Sequence, residues 1–294
     1  MWLSDEWKDY EVLDTAEGEK LERWGSFTCI RPDPQVIWSF RNAEEKWNRV
    51  SGRYIRSKKG GGSWEIYDKK MPQSWKIRYK DLAFIVRPTG FKHTGLFPEQ
   101  ACNWDFARKQ IAGANRPVKV LNLFGYTGGA TVAALKAGAH VCHVDASKGM
   151  VAWAKDNVTA NGLQDRPVRY IVDDAVKFVE REIRRGSFYE AVIMDPPSYG
   201  RGPKGEIWTL EDKVFGLVEL CSRVLSDKPL FFLLNSYTTG LAPAVLYNIL
   251  MMTVGRKFSC RVEASEIGLP VSGSPYVLPC GSTGRCVFDE TLGS

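Results

Sequence analysis

One stretch of the chain, residues 118–145, constrains the fold more than any other part. It reads VKVLNLFGYTGGATVAALKAGAHVCHVD: an apolar run, a turn formed by Gly125-Tyr126-Thr127-Gly128-Gly129, and an Ala/Leu-rich segment. A second apolar run, residues 139–144, then ends on Asp145. The order strand, glycine loop, helix, strand, acid is typical of a βαβ unit that binds a nucleoside, with the acid accepting hydrogen bonds from the ribose hydroxyls.

Downstream of this stretch, short apolar runs alternate with segments of helical spacing. Alternating strands and helices imply a parallel sheet covered on both faces. A terminal pair of strands, 258–264 and 285–288, is predicted on either side of a loop rich in Gly, Ser and Pro. The other predicted strands are 168–172, 191–194 and 229–234, and the predicted helices are 148–161, 175–185, 210–225, 241–252 and one from about Glu99.

The first 95 or so residues lack this alternation and predict a small, mostly β region. A helix is predicted at 34–48, a flexible turn at 58–63, and a hairpin of 64–67 with 75–79 around Met71-Pro72. Further short strands are predicted at 9–14, 24–30 and 82–87. We therefore predict two domains, with residues 1–95 as the β-rich region and residues 96–294 as the α/β domain.

Composition excludes several classes of protein. The 294 residues are 44% hydrophobic and 25% charged, which is ordinary for a soluble globular protein. No apolar run approaches the ~18 residues of a membrane span, and the acidic N-terminus lacks an apolar signal core, so we expect a cytoplasmic protein. The seven cysteines form no CxxC pair, so we expect neither a metal site nor a disulfide framework.

Basic and aromatic residues concentrate at 41–80. This segment has twelve Lys and Arg against four Asp and Glu, with Trp47, Tyr54, Trp64, Tyr67, Trp75 and Tyr79 between them. A polyanion with stackable bases favours such a surface, which makes RNA the expected partner. The alternative is a solvated face on a small β subdomain whose aromatics form its core.

Polar residues lie at the ends of the first five predicted strands of the α/β region, where parallel sheets bind ligands. They are Asn122, Asp145, Asp173, Asp195 and Asn235. The turn lacks GxGxxG and a Walker lysine, so neither a dinucleotide nor a phosphate site is predicted. A nucleoside with an amino-acid tail, S-adenosylmethionine, suits the pattern better. For each acid taken singly, a helix-capping role stays open.

These segments carry a family resemblance. The chain resembles the class I S-adenosylmethionine-dependent methyltransferases, and more narrowly the bacterial 23S ribosomal RNA methyltransferase-like family, over roughly residues 80–290. This implies a Rossmann-like α/β fold whose sheet is mostly parallel with an antiparallel terminal strand. The matching segments are 121–129, 144–147, 157–163, 173–175 and 195–198, together with 93–100, which in that family closes over the cofactor.

The resemblance also implies a set of cofactor-binding residues. The glycine loop would hold the methionine end, Asp145 the ribose and Asp173 the adenine. The full set is Phe97, Gln100, Asn122, Phe124, Gly125, Tyr126, Thr127, Gly128, Gly129, Asp145, Ala146, Ser147, Asp173, Asp174 and Asp195.

The acceptor side is expected at the turn Asp195-Pro196-Pro197-Ser198. Amino-directed nucleic-acid methylases use such a turn to accept hydrogen bonds from an exocyclic amine, with an aromatic residue fourth that stacks on a flipped base. Here Ser198 is fourth and the aromatic, Tyr199, follows it, a departure that bears on amino-methylation. Asp195, Pro196, Pro197, Tyr199 and Asn235 are the expected catalytic residues.

The covalent route of the related 5-methylcytosine enzymes needs a cysteine after the fifth strand. This chain has Asn235-Ser236-Tyr237-Thr238 there, and Cys221 lies inside the preceding helix. We therefore expect direct methyl transfer to a nitrogen or oxygen of RNA, with ribosomal RNA as the expected substrate. A small-molecule or protein methyltransferase, and a cofactor-binding module without activity, stay open as alternatives.

The remaining His and Cys residues carry weaker expectations. His140 and His143 flank the second strand and are interpreted as packing or surface residues. His93 lies in the segment expected to close over the cofactor, so a contact with the site stays open. Cys280 and Cys286 are interpreted as structural residues of the C-terminal loop.

Overall fold

The computed structural model describes residues 1–42, 44–57, 61–90, 92–201, 207–238 and 240–288. These residues divide into two compact units. The smaller unit contains Trp2–Cys102 and Ile267–Cys280, and the larger contains Asn103–Glu266 with the end of the last strand. The predicted functional domains, 1–95 and 96–294, stay a prediction beside this division by contacts.

The smaller unit is built on a five-stranded sheet in the order β2-β3-β4-β5-β6 and a separate β7-β8 hairpin. The β2-β3 turn has positive φ at Glu17 and Gly18, as two-residue hairpin turns require. Its elements are β1 (Trp2–Leu3), β2 (Tyr10–Ala16), β3 (Glu19–Trp24), β4 (Phe27–Pro32), α1 (Glu44–Trp47), β5 (Gly52–Arg56), β6 (Gly62–Ile66), β7 (Trp75–Tyr79), β8 (Leu82–Val86) and a 3-10 helix (Pro98–Gln100).

A buried ion pair lies inside this unit. Arg31 donates to both carboxylate oxygens of Glu22, at 2.6 and 2.8 Å, and the Tyr10 hydroxyl donates to Glu22 at 2.5 Å. Burial alone would raise the pKa of Glu22, but the charges of Arg31 and Lys20 outweigh it and hold the pKa at about 2. Glu22 is therefore ionised and fully partnered, as a buried charge must be.

The predicted helix at 34–48 is wrong apart from the four residues of α1. The carbonyls of Val36 and Trp38 instead accept the N–H groups of Gly18 and Glu17, at 2.9 and 2.7 Å. The Asp14 carboxylate captures the backbone N–H of Asn42 at 3.0 Å. These tertiary hydrogen bonds compete directly with a helical ladder and win.

Three smaller predictions in this unit are also corrected. The strand predicted at 24–30 is interrupted at Gly25, whose φ of 64° turns β3 back into β4. The predicted pairing of 64–67 with 75–79 is wrong, because β6 pairs with β5 and β7 with β8. Of the turn predicted at 58–63, Gly62 and Ser63 begin β6, and Lys58 to Gly60 lie outside the described residues.

The larger unit has the predicted α/β alternation. Its helices are α2 (Ala101–Gly113), α3 (Gly129–Lys136), α4 (Lys148–Ala160), α5 (Ala175–Arg185), α6 (Leu210–Cys221) and α7 (Pro243–Met252). Its strands are β9 (Lys119–Leu123), β10 (His140–Asp145), β11 (Val168–Val172), β12 (Ala191–Met194), β13 (Tyr199–Arg201), β14 (Ile207–Thr209), β15 (Phe231–Ser236), β16 (Cys260–Pro270) and β17 (Val277–Phe288).

The main sheet runs in the order β16-β17-β15-β12-β9-β10-β11. Strands β9, β10, β11, β12 and β15 are parallel, and β17 is antiparallel to β15, so the predicted mostly parallel sheet with an antiparallel terminal strand is confirmed. The apolar strands pack under α5, α6 and α7 in one core that includes Leu121, Val192 and Phe232. Continuous apolar runs are what a sheet covered on both faces requires.

The order in which strands join the sheet changes direction at β9. Strands β10 and β11 lie on one side of β9, whereas β12 and β15 lie on the other. A crevice therefore opens at the carboxyl ends of β9 and β12, where doubly wound sheets bind ligands.

Two features of this region were not predicted. The terminal strands are longer than 258–264 and 285–288, and only residues 271–276 separate β16 from β17. Cys280 and Cys286 are therefore strand residues and not loop residues. The β13-β14 hairpin directly after the Asp195-Pro196-Pro197 turn was missed as well.

Neither a membrane span nor a metal cluster is found in the part of the chain that the structure describes. No helix there is long and apolar enough to cross a membrane, and no three His, Cys, Asp or Glu side chains converge as ligands.

Candidate functional site

The glycine loop after β9 has an unusual backbone. Phe124, Tyr126 and Gly128 all have positive φ, at 55°, 50° and 84°, although two of them carry side chains. Left-handed backbone at such residues costs free energy and persists only when surrounding contacts enforce it. Here the Gly125 N–H donates to the Val144 carbonyl at 3.0 Å and the Tyr126 N–H to the Asp145 carboxylate at 2.9 Å. The loop is thus tied to the end of β10.

The three glycines allow this loop to pack tightly on neighbouring elements. A Cβ at Gly125 would lie 2.4 Å from the His143 ring on β10, and one at Gly128 would lie 2.9 Å from Ala154 on α4. A Cβ at Gly129 would lie 2.8 Å from the Trp104 ring on α2. The space that a side chain would need at each glycine is therefore occupied by the protein's own groups on β10, α4 and α2.

A buried polar chain supports the loop from below. The Asn122 amide donates to the Thr131 hydroxyl at 2.9 Å, and that hydroxyl lies 2.9 Å from His143 Nδ1. Which of these two groups donates depends on the tautomer of the His143 ring. Burial lowers the pKa of His143 to about 4, so the ring is neutral. Asn122 is buried beneath the loop, and its hydrogen bond to Thr131 helps to support the loop there.

Asp145 lies at the tip of β10 with both oxygens engaged. Oδ2 accepts the Tyr126 N–H at 2.9 Å and Oδ1 accepts the Ser147 N–H at 2.8 Å. Burial raises the pKa of Asp145, and these two hydrogen bonds oppose the rise. Each carboxylate oxygen can accept a second hydrogen bond, and the side chain is only half-buried. The two carboxylate oxygens therefore fit a ribose diol as hydrogen-bond acceptors.

The residues after Asp145 have local structural contacts. Ser147 caps α4, where its hydroxyl accepts the Met150 N–H at 3.4 Å, and Ala146 is exposed beside it. Their assignment to the cofactor stays a prediction.

The two acids after β11 differ in their contacts. The Asp173 N–H donates to the Asp145 carbonyl at 3.1 Å, which brings the two strand tips together, and its carboxylate forms an ion pair with Arg181. Asp174 caps α5 by accepting the Lys177 N–H at 2.9 Å. The helix-capping alternative therefore describes the Asp174 side chain, and the adenine-binding role of Asp173 stays a prediction.

The structure brings Asp195 and Asn235 together across neighbouring strands. Asn235 Nδ2 donates to Asp195 Oδ1 at 3.0 Å. The turn is held by the Thr238 hydroxyl, which donates to Ser198 at 2.8 Å. Asn235 is fully buried and Asp195 half-buried, so the pair is anchored on one side and open on the other.

An aromatic residue beside this turn was missed by sequence reasoning. The Trp208 indole donates to the Pro197 carbonyl at 2.7 Å, and its ring lies 6.2 Å from that of Phe124 in the glycine loop. Tyr199 pairs with Thr209 and is 54% exposed, whereas Trp208 pairs with Gly200 and so lies on the hairpin's other face. No signal in the sequence marked the hairpin, because its strands are only three residues long.

The segment at 93–100 belongs to the smaller unit. Phe97 precedes the 3-10 helix Pro98–Gln100, and its ring lies 4.9 Å from that of His93. Burial, with the charges of Arg31 and Lys92, lowers the pKa of His93 to about 3. The cofactor contacts of Phe97 and Gln100 stay predictions. His140, at the start of β10, is exposed.

The basic and aromatic segment is only partly a surface. Trp47, Tyr54 and Tyr79 are buried, so these aromatics form core, as the alternative interpretation held. Tyr67 is about half exposed, and Arg53 is ion-paired with Glu19 at 2.7 Å. Exposed cations of the segment are Lys46, Arg49, Arg56, Lys69, Lys70, Lys76, Arg78 and Lys80.

Five of the seven cysteines are poor nucleophiles. All seven are free. Burial raises the pKa of Cys29, Cys142, Cys221 and Cys280, and a contact with Cys260 together with burial raises that of Cys286. A raised pKa keeps a thiol protonated and unreactive.

Comparison with known proteins agrees with this geometry. The family model described as S-adenosylmethionine-dependent methyltransferase matches residues 43–220. A SAM-dependent methyltransferase structure from Agrobacterium tumefaciens superimposes with a TM-score of 0.91 at 34% identity, over 97% of this chain and 92% of that one.

Curated relatives match over a shorter length. Ribosomal RNA large subunit methyltransferase K/L of Shewanella baltica (strain OS155) is 31% identical over 160 residues, 54% of this chain and 21% of that protein. The protein of that name from Syntrophotalea carbinolica is 30% identical over 145 residues, 49% of this chain and 19% of its own. The chain thus spans about a fifth of the length of these relatives.

The family model covers more than half of the chain, and the glycine loop, Asp145 and the Asp195-Pro196-Pro197 turn lie at the ends of the strands where such a site belongs. The chain therefore belongs to the S-adenosylmethionine-dependent methyltransferase family.

Proposed function

We propose that the protein methylates ribosomal RNA by direct transfer from S-adenosylmethionine to a nitrogen or oxygen atom. The observation that carries the proposal is the pairing of Asp195 with Asn235 beside a glycine loop whose backbone is locked to Asp145. One crevice of the larger unit thereby holds a ribose-binding acid and a separate polar pair for an acceptor.

On the cofactor side, Asp145 would accept the ribose hydroxyls and the loop Phe124 to Gly129 would hold the amino-acid end. Asp173 would orient the adenine, and the cofactor contacts expected of Phe97 and Gln100 stay predictions from the sequence. When bound, S-adenosylmethionine supplies a methyl group already activated on a sulfonium. Because that group needs no strong base, the chain's residues have mainly to align the acceptor and exclude water.

On the acceptor side, Asp195 would accept a hydrogen bond from the group to be methylated. The two prolines after it restrict the backbone φ and so hold the turn in place. Tyr199 and Trp208 flank the turn on opposite faces of the β13-β14 hairpin, and either ring could stack on a base. The polar pair and the aromatic rings together support a planar nitrogen-bearing acceptor.

A covalent cysteine mechanism has no support in this chain. The segment Asn235-Ser236-Tyr237-Thr238 at the end of β15 includes no cysteine, and Cys221 is buried in α6 with a raised pKa. Attack on carbon 5 of a pyrimidine needs a prior thiolate addition, so the methylated atom is expected to be nitrogen or oxygen.

Ribosomal RNA is proposed because the curated relatives carry that substrate in their names and because exposed cations lie along the smaller unit. Such a substrate implies work in the cytoplasm, where ribosomes assemble.

The proposal is tested by replacing the cofactor and acceptor residues separately. Asp145→Ala removes the ribose acceptors, so calorimetry should show the S-adenosylmethionine Kd raised about tenfold to a hundredfold. Asp195→Ala should keep the wild-type Kd and lose methyl transfer to unmodified ribosomal RNA transcribed in vitro. Full transfer by Asp195→Ala would contradict the proposed acceptor site.

A further inference from the structure

Asp195 terminates a chain of buried side chains that reaches across three elements. Asn235 on β15 donates to Asp195 at 3.0 Å, and the Thr283 hydroxyl on β17 donates to Asn235 Oδ1 at 2.6 Å. Asn103 on α2 donates to Thr283 Oγ1 at 3.0 Å, and Arg285 donates to Asn103 Oδ1 at 2.8 Å. Thr283 and Asn235 are direct partners in the β15-β17 register, which puts their side chains on one face.

The two ends of this chain allow only one direction of hydrogen bonding. A guanidinium can only donate, so Asn103 must turn its carbonyl to Arg285 and its NH2 group to Thr283. The Thr283 hydroxyl therefore accepts from Asn103 and gives its single proton to Asn235 Oδ1. Asn235 is left with its NH2 group facing Asp195, which as a carboxylate can only accept.

The surroundings hold the chain in this arrangement. Asn235 and Thr283 have no exposed surface, Asn103 is 3% exposed and Arg285 is 9% exposed. The Arg285 guanidinium also lies 4.5 Å from the centre of the Phe106 ring, one turn along α2 from Asn103. A buried amide whose oxygen and NH2 group are both hydrogen-bonded cannot flip without breaking both bonds.

We propose that Thr283, Asn103 and Arg285 are positioning residues that fix the Asn235 amide and, through it, the Asp195 side chain for acceptor binding. The inference rests on the proposed acceptor role of Asp195. Without the Thr283 hydroxyl, Asn235 Oδ1 loses the donor that holds it, so the amide is no longer fixed from the side opposite Asp195. The carboxylate then loses its fixed orientation, although the fold and the cofactor residues keep their contacts.

The first test follows the Asn235 amide directly and needs no acceptor. Protein labelled with 15N-asparagine gives a side-chain amide signal for Asn235, identified by its loss in Asn235→Asp. In Thr283→Val this signal should shift or broaden, whereas Thr283→Ser, which keeps a hydroxyl, should restore it. Thr253→Val is the matched control, because Thr253 is also buried and its hydroxyl donates to the Ile249 carbonyl of α7 at 2.6 Å and not to a member of this chain of side chains. An unchanged Asn235 signal in Thr283→Val overturns the inference.

The second test measures methyl transfer to transcribed large-subunit ribosomal RNA. Thr283→Val should lower kcat about tenfold while the KM for S-adenosylmethionine stays the same, and Thr283→Ser should recover most of the rate. Thr253→Val should keep the wild-type kcat even if it lowers the thermal stability of the protein as much as Thr283→Val does. In an Asp195→Ala background, Thr283→Val should add little further loss.

The outcomes separate the two proposals. Loss of transfer in Asp195→Ala with a normal kcat in Thr283→Val overturns the positioning role alone. An equal Thr283→Val effect with and without Asp195 overturns it too, because the effect then does not pass through Asp195. Full transfer by Asp195→Ala contradicts the acceptor role on which both depend.

Discussion

At the scale of single residues, Gly125 shows how the loop sequence serves packing. Any side chain there meets the His143 ring, which is itself fixed by Thr131 and Asn122. The need for glycine was predictable from the residues 118–145 pattern. The group that imposes it was not, because His143 lies eighteen residues away and on another strand.

Gly125→Ala should therefore destabilise the protein by about 1–3 kcal/mol, since neither the ring nor the loop can move freely. It should also weaken S-adenosylmethionine binding, because the loop is displaced. Thermal unfolding and calorimetry check both. Gly216→Ala is the control: this α6 glycine has open space around it, so alanine should instead add ~0.5–1 kcal/mol. Equal losses in both variants would contradict the packing argument.

His143 also predicts a pH dependence of stability. Its pKa is about 4 in the folded protein and 6.5 ordinarily, so the unfolded chain binds a proton first as the pH falls. The contribution of neutral His143 to the free energy of unfolding is complete above pH 6.5. It is lost as the pH falls toward 4, which lowers the free energy of unfolding by up to ~3 kcal/mol. His143→Asn should flatten this part of the urea-unfolding profile.

The exposed His140 on the same strand provides the comparison for that measurement. His140→Asn should leave the profile as in the wild type. If the free energy of unfolding fell equally steeply with pH in His143→Asn, other groups would be responsible for the loss of stability below pH 6.5.

At the scale of elements, the contacts separate residues that sequence alone could not. Asp173 and Asp174 follow the same strand, and either could bind a ligand or cap a helix. The structure gives the capping bond to Asp174, whose carboxylate accepts the Lys177 N–H. Which of two adjacent acids caps a helix depends on one residue's backbone angles, and spacing does not encode that.

Asp174→Ala should therefore lower the free energy of unfolding by ~1 kcal/mol, whereas Asp174→Ser, which can still cap α5, should keep most of it. Neither should change the S-adenosylmethionine Kd by more than about twofold, a difference of ~0.4 kcal/mol. Chemical denaturation and calorimetry provide the two readouts. A large loss of affinity in Asp174→Ser would instead support the predicted cofactor role of Asp174.

The sequence predicted the helices and strands of the larger unit far better than those of the smaller unit. The strands and helices from β9 to α7 were found because apolar runs of distinct period alternate there. The smaller unit was harder, because tertiary hydrogen bonds to Val36 and Trp38 override helical spacing, and strand pairing depends on partners distant in sequence. The β13-β14 hairpin and the Asn235 to Arg285 chain involve pairings that no local pattern reveals.

At the scale of the whole molecule, the larger unit carries the cofactor loop and the acceptor pair, and the smaller unit carries the exposed cations. If those cations bind RNA, affinity should fall steeply with salt, because each phosphate contact releases a counterion. Lys58 and Lys59, which belong to the basic and aromatic segment, lie outside the described residues. Lys69 and Lys70 are described and exposed. If they contact phosphates, replacing them should make the RNA affinity fall less steeply with salt.

The central claim is direct methyl transfer to ribosomal RNA, and nucleoside mass spectrometry tests it in one measurement. Unmodified transcribed ribosomal RNA is incubated with the protein and isotope-labelled S-adenosylmethionine, then digested to nucleosides, with Asp195→Ala as the control. The account predicts a labelled methyl group on a nitrogen or oxygen of one nucleoside, absent with the variant. A methyl group on a pyrimidine carbon, or no label in RNA while the cofactor binds normally, would contradict it.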